Sequence, residues 1–266
     1  MLHAARAPAL RVVVLVVLAV LAATGCSAVS EEEPQAETVP ARGACRVLTP
    51  EDVAQPSNDS DVVDCAEAHT AETYAVGSLP EKLADAAYDD RELTAFAYDT
   101  CANKFMKFLG ADESLVMRTV LTWVWFRPSE ESWAAGSRRY RCDAVGGGEQ
   151  SQSYVMLPET VKGALRGRPD DRWLVCVNGE SVDDSPRIPC SEPHTWRAVT
   201  TIKLGEAEDK YPGDRLTEVR TRDYCSDSVV AWLDYPANYD FGYTWFREAE
   251  WAAGNRRSVC WAKTDS

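Results

Sequence analysis

The chain has 266 residues, 45% of them hydrophobic, and a formal charge of −14. That length and apolar content suit one or two globular domains. A body this acidic repels phosphate backbones and anionic headgroups, so nucleic acid is excluded as a partner, and attachment to a membrane cannot come from a broad basic surface.

The N-terminus offers another route. Arg6 and Arg11 precede an uninterrupted twelve-residue apolar run at 12–23, which suits an export signal and is too short to span a bilayer. The run ends in Ala23-Thr24-Gly25-Cys26, which resembles the lipobox of bacterial lipoproteins, although Ala23 stands where Leu is usual. The resemblance implies a signal peptide over 1–25 and a lipid-modified Cys26 with palmitate-type acyl chains. Two or three such chains, at ~0.8 kcal/mol per buried CH₂, anchor a protein to the extracytoplasmic face of the cell membrane. An ordinary secretory signal cleaved near Ala28 is the alternative. Without the residues before Cys26, 26 bases face 42 acids and the charge becomes −16. Residues 26–43, with three consecutive glutamates and no apolar period, read as an acidic tether.

From residue 44 the pattern turns globular. Short strands are predicted at 46–48, 62–65 and 72–79. Leu93, Phe96, Ala97, Cys101, Phe105, Phe108 and Leu109 recur at three- and four-residue spacing before Gly110, which predicts an amphipathic helix with a glycine stop. The β-branched and aromatic stretch 116–126 predicts a buried strand. A short helix opening at Pro128 and closing at Gly136 precedes a last strand at 138–142. Gly146-Gly147-Gly148 and the polar residues after it mark a boundary, and 146–171 reads as a linker. The plan then returns, with strands at 173–177, 187–190 and 196–204 and a helix at 216–233. That helix is predicted to turn Val219, Cys225, Val229, Trp232 and Leu233 inward. Strands at 243–246 and 258–261 close the second copy.

Two strings establish the duplication. W-A-A-G-S-R-R-Y-R-C at 133–142 returns as W-A-A-G-N-R-R-S-V-C at 251–260, and C-A-E-A-H-T at 65–70 returns as C-S-E-P-H-T at 190–195. The predicted fold is therefore α+β. It comprises two tandem small domains, 44–145 and 172–263, each an antiparallel sheet with one main helix packed on it and stapled by disulfides. Setting Cys26 aside leaves Cys45, Cys65, Cys101, Cys142, Cys176, Cys190, Cys225 and Cys260, four per copy. An even, repeated set behind an export signal belongs to an oxidising compartment.

Four spaced cysteines, C-x-E-x-H after the second, a helix around the third, and W-A-A-G with a cysteine nine residues after the tryptophan resemble the septum-formation domain of actinobacterial cell-envelope proteins. The resemblance covers both copies and implies an extracytoplasmic, membrane-linked protein without a known catalytic mechanism. An acid three residues after the histidine, frequent in that family, is Glu72 in the first copy, whereas the second has Arg197.

The candidate sites follow from the repeated strings. His69 and His194 are the histidines left once His3 departs with the signal, and each lies four residues after a cysteine. Each could ligate zinc, or act as a general base oriented by Glu67 or Glu192. The favoured reading has each imidazole pinning the turn after a disulfide. No G-x-S-x-G, phosphate loop or H-E-x-x-H occurs, so neither catalytic residues, nor a metal, nor a cofactor is expected. Trp133 and Trp251 are candidate carbohydrate platforms, with a core role favoured. One arginine of each pair (Arg138-Arg139, Arg256-Arg257) is expected in a surface ion pair, with Arg138 and Arg256 candidates for a shared anion site.

These observations predict a membrane-anchored lipoprotein with two non-catalytic binding modules for an envelope protein or wall polymer. A cell-wall hydrolase or metal-binding enzyme using the Glu/His pairs is the alternative. If both copies fold alike and independently, three pairing patterns survive. Neighbouring strands favour Cys45–Cys65 and Cys176–Cys190, and helix-to-sheet clamps favour Cys101–Cys142 and Cys225–Cys260.

Overall fold

Two antiparallel sheets with the same strand order carry the chain. The computed structural model describes residues 40–264 except 149 and 184. The signal, Cys26 and all but the last four residues of the tether lie outside the described residues.

In the first repeat β1 (Cys45–Arg46) is followed by helix α1 (Pro50–Val53), which Thr49 caps by accepting from the Asp52 amide. After β2 (Ala71–Ser78) come α2 (Arg91–Ala97), a π turn at Tyr98–Ala102 and α3 (Asn103–Leu109), in one continuous rod. The π turn has a geometric reason. Leu93, Ala97, Cys101, Phe105 and Leu109, all buried, are four residues apart, and each such step overshoots an α-helical turn by about 40°. The wider i to i+5 turn takes back part of that drift and keeps one stripe on the sheet. Gly110 ends the rod at φ 78°, in the left-handed region.

Next come α4 (Glu113–Val116), β3 (Thr122–Phe126), α5 (Glu130–Ala134) and β4 (Arg139–Val145). The sheet order is β1-β2-β4-β3. Two strand expectations are corrected here. Residues 116–121 are not strand, because Asp112 accepts from the Leu115 amide and nucleates α4 instead. Residues 62–65 reduce to a single bridge between Cys45 and Val63.

The second repeat places β5 (Val175–Val177), β6 (Arg187–Pro189), β7 (Trp196–Lys203), helix α6 (Asp214–Trp232), β8 (Phe241–Thr244), α7 (Glu248–Ala253) and β9 (Arg257–Lys263). The order β6-β5-β7-β9-β8 repeats the first sheet, with β6 in the place of the Val63 bridge. Even the irregularity is duplicated, since β2 slips register between Thr73 and Ala75 and β7 between Ala198 and Thr200. Thr217, Thr221, Cys225 and Val229 form the buried stripe of α6. Trp232, predicted to face inward, is 49% exposed, because the stripe has rotated past it by the last turn.

The disulfides join Cys45 to Cys65, Cys101 to Cys142, Cys176 to Cys190 and Cys225 to Cys260, with Cα separations of 4.9–5.8 Å. These are the predicted pairs. The second and fourth tie the helical rod to the strand β4 and α6 to β9.

The repeats pack as one compact unit. A shared core cluster contains Phe105 and Leu109 of the first and Trp173, Val175 and Trp261 of the second. Residues 118–120 run beside 173–175, with Val120 N donating to Trp173 O (2.9 Å) and Val175 N to Arg118 O (3.0 Å). The stretch 146–171, expected as a linker, folds back over the first repeat. Tyr154, Leu157, Val161 and Leu165 are buried there, and the amides of Gly163 and Leu165 donate to Phe108 O and Leu109 O. Apolar side chains at three- and four-residue spacing drive that packing, whatever the polar residues around them. No helix among the described residues is long and apolar enough to cross a membrane.

Candidate functional site

The repeated histidines are buried and turned toward backbone. His69 lies just before β2, its side chain out of contact with solvent, and its Nδ1 donates to the carbonyl of Glu67 at 2.8 Å. His194 repeats the arrangement before β7, Nδ1 donating to Glu192 O at 2.8 Å. The Glu67 and Glu192 contacts therefore come from main-chain oxygens, while both residues are exposed. The other ring nitrogen is Nε2. In His69 it is buried without a hydrogen-bond partner among the described residues.

Cys176, Cys190 and His194 bring their potential ligating atoms within 4.8 Å of one another. The two sulfurs are bonded to each other, so in this oxidised form they offer no thiolate, and the imidazole alone keeps ordinary donor character.

Trp133 and Trp251 lie in the core, 6% and 7% exposed. Each indole is covered by the arginine five residues on, with the guanidinium carbon of Arg138 4.2 Å from the Trp133 ring centre and that of Arg256 3.7 Å from Trp251. Tyr88 meets Trp133 edge-on, and Phe246 and Tyr211 pack against Trp251. A sugar finds no free indole face there. Arg138 also donates to the carbonyls of Trp133, Ser137 and Ala84, and Arg256 to those of Trp251, Asn255, Glu206 and Ala207. The two guanidiniums thus cap the ends of α5 and α7 rather than wait for an anion. Of the surface ion pairs expected in both copies, the second copy has one, half-buried rather than on the surface, where Arg257 Nε lies 2.5 Å from Glu113 Oε2 of the first repeat, and Arg139 forms none among the described residues.

Two groupings escaped the sequence. Arg46, Arg141 and Asp143 are all buried on the sheet of the first repeat. Arg141 Nε donates to Asp143 Oδ2 (2.9 Å), and Thr73 bridges Arg46 to Asp143 through bonds of 2.9 and 2.7 Å. Desolvation lowers the Arg46 pKa. The arginines also hold loop oxygens of Asn58 and Ser60, a fastening role. The other grouping is a cleft of about 470 Å³ whose lining includes Arg42, Lys104, Lys107 and Lys162. Its sequence signal was Lys104 and Lys107 at helical i, i+3 spacing in a lysine-poor chain.

A duplicated, disulfide-stapled α+β unit whose repeated histidines, tryptophans and arginines serve the turns and core is the class of protein that this geometry defines. Residues 23–142 and again 121–260 match the family described as Septum formation, and the chain belongs to that family. Membership supports a role in septum formation or the cell envelope, and the family is not a known enzyme family. No curated protein and no solved structure matches the chain.

Proposed function

We propose that the chain is an extracytoplasmic lipoprotein, held to the cell membrane through Cys26, whose two repeats are non-catalytic modules that bind or scaffold an envelope component during septum formation. One observation carries the non-catalytic reading. In both repeats Nδ1 is engaged by a backbone carbonyl and the ring is buried, His69 at 0% and His194 at 6% exposure, so neither imidazole is presented to a substrate. Support for the anchor is arithmetical as well as sequential. Eight of nine cysteines are consumed in four disulfides, which leaves Cys26 as the ninth.

Intact-mass measurement of detergent-extracted protein tests the anchor. The expected species begins at Cys26 with a diacylglyceryl adduct, and a mature N-terminus elsewhere overturns it. Catalysis is tested by restoring the His69→Gln/His194→Gln chain to cells lacking the protein. Full complementation is expected, and loss of function with an unchanged melting profile would favour the enzyme.

A further inference from the structure

Three of the chain's seven lysines line one cleft. Lys104 and Lys107 stand on α3, Lys162 on the stretch folded back over the first repeat, and Arg42 just before β1. The floor is Thr73, Tyr74 and Ala75, where β2 slips register, and Phe108 forms an aromatic side, its ring 5.4 Å from that of Tyr74. Lys104 Nζ is held by donation to Tyr140 OH at 3.0 Å. One carboxylate, Glu72, shares the lining. Its oxygens accept from Thr160 Oγ1 (2.8 Å) and Val161 N (2.9 Å). None of the four cations forms an ion pair among the described residues.

The second repeat lacks this arrangement. Counting from the equivalent cysteines, Ser228 and Ala231 replace Lys104 and Lys107, and Trp173 replaces Arg42. Its register slip is also covered, since Arg118 of the first repeat donates to Val199 O (2.9 Å) and Thr201 Oγ1 to Ser114 Oγ (2.8 Å). Among the described residues no bond from the second repeat covers the first repeat's slip, where Gly43 N donates to Thr73 O and Thr73, Tyr74 and Ala75 are largely buried. That slip opens into a cation-lined cleft on a molecule of charge −14. Four cations against the one carboxylate of Glu72 leave the lining net positive, and a bound anion offsets that excess. Lysine ammoniums, as compact point charges, suit the distributed charge of phosphate, whereas carboxylates are best matched by arginine forks, of which there is one here. The Tyr74–Phe108 surface suits an organic group attached to the phosphate.

We propose that this cleft binds a phosphate ester, through Lys104, Lys107, Lys162 and Arg42. The inference rests on the reading of the chain as a binding module, and its failure would leave the acyl adduct on Cys26 untouched. Calorimetric titration of the detergent-solubilised full chain with tripolyphosphate at low ionic strength tests it. Binding is expected to weaken at least about tenfold in Lys104→Gln/Lys107→Gln, and to change less than about twofold in Lys203→Gln/Lys210→Gln, the same charge change elsewhere. Should the first double variant melt early, Lys107→Gln alone, at an exposed position, is expected to lose about threefold. No binding by the parent chain, or equal losses in both double variants, overturns the proposal. Glycerol phosphate oligomers and phosphatidylglycerol vesicles then separate the sources. Lysine-dependent binding to the oligomers marks a wall polymer, and to the vesicles a lipid headgroup. A glutamate oligomer of equal charge that binds as tightly overturns the choice of phosphate.

Discussion

Glu72 and Arg197 occupy the same position in β2 and β7, three residues after the repeated histidine, and with opposite charges each ties down the chain between the repeats. Glu72, buried, takes the Thr160 hydroxyl and the Val161 amide. Arg197 takes Asp171 at 2.5 Å. The departure of the second copy from the acid of the first is thus a change of partner at one end of the same stretch.

The two ties should differ in strength. Glu72→Ala leaves the buried Val161 amide without an acceptor, an expected loss of about 1–3 kcal/mol by denaturant unfolding. Arg197→Ala removes a pair whose acid is half exposed, an expected ~0–1 kcal/mol. The hydrogen bond from Arg197 holds the Asp171 carboxyl below its ordinary range. Its small contribution is therefore present above the unfolded pKa of about 3.9 and lost as pH falls through the lower folded value. Equal losses from the two substitutions would refute this account.

The tryptophan–arginine stacks should behave as core. Trp251→Ala is expected to cost about 3–5 kcal/mol, as other buried aromatic truncations do. Arg256→Lys should also destabilise, because an ammonium cannot stack on the indole and reach several carbonyls together. A Trp251→Ala chain with unchanged stability but lost glycan affinity would restore the platform reading.

Removal of the helix-to-sheet clamps by substitution should be costly in either repeat. Cys101→Ala/Cys142→Ala opens a loop with a sequence separation of 41, and Cys225→Ala/Cys260→Ala one of 35. Each double substitution is expected to lose ~3–4 kcal/mol in the chain-entropy account. Non-reducing peptide mapping should recover all four bridges, and one linking the two repeats would contradict the fold.

Alkaline titration reports on the buried tyrosines. Burial raises the pKa values of Tyr74 and Tyr98, the latter also beside Glu113, and pushes Tyr154 up to about 12. Because these folded values exceed the unfolded value of about 10, their stabilisation is complete below that pH and is lost as pH rises through the folded values. Tyrosinate absorbance should therefore rise in two stages, the later one coinciding with unfolding. Ionisation of all ten tyrosines together near pH 10, with the fold intact, would refute the burial.

Much of the secondary structure was legible because its signals are local. The glycine stop at Gly110 and the tryptophan-led turns act within a few residues. Strand content was less legible where a cap competed with it. The β-branched composition of 116–121 suggested a strand, yet the Asp112 side chain and the neighbouring second repeat made a helix and a crossing segment of it. The stretch 146–171 was obscured in the same way, since its glycines and polar residues conceal the spacing of Tyr154, Leu157, Val161 and Leu165.

The amino-acid order by itself determined that the chain is duplicated, that four cysteines fall in each copy, and where the main helix of each copy lies. Repeated strings, cysteine positions and caps are short-range chemistry that a linear reading retains. Only the tertiary structure decided what two copies of one pattern do differently. Packing joins residues 118–120 to 173–175, so the first repeat covers the register slip of the second. Among the described residues no bond from the second repeat covers the slip in the first, where Lys104, Lys107, Lys162 and Arg42 converge from three separate segments. Their meeting depends on distances across the fold, which spacing along the chain does not encode.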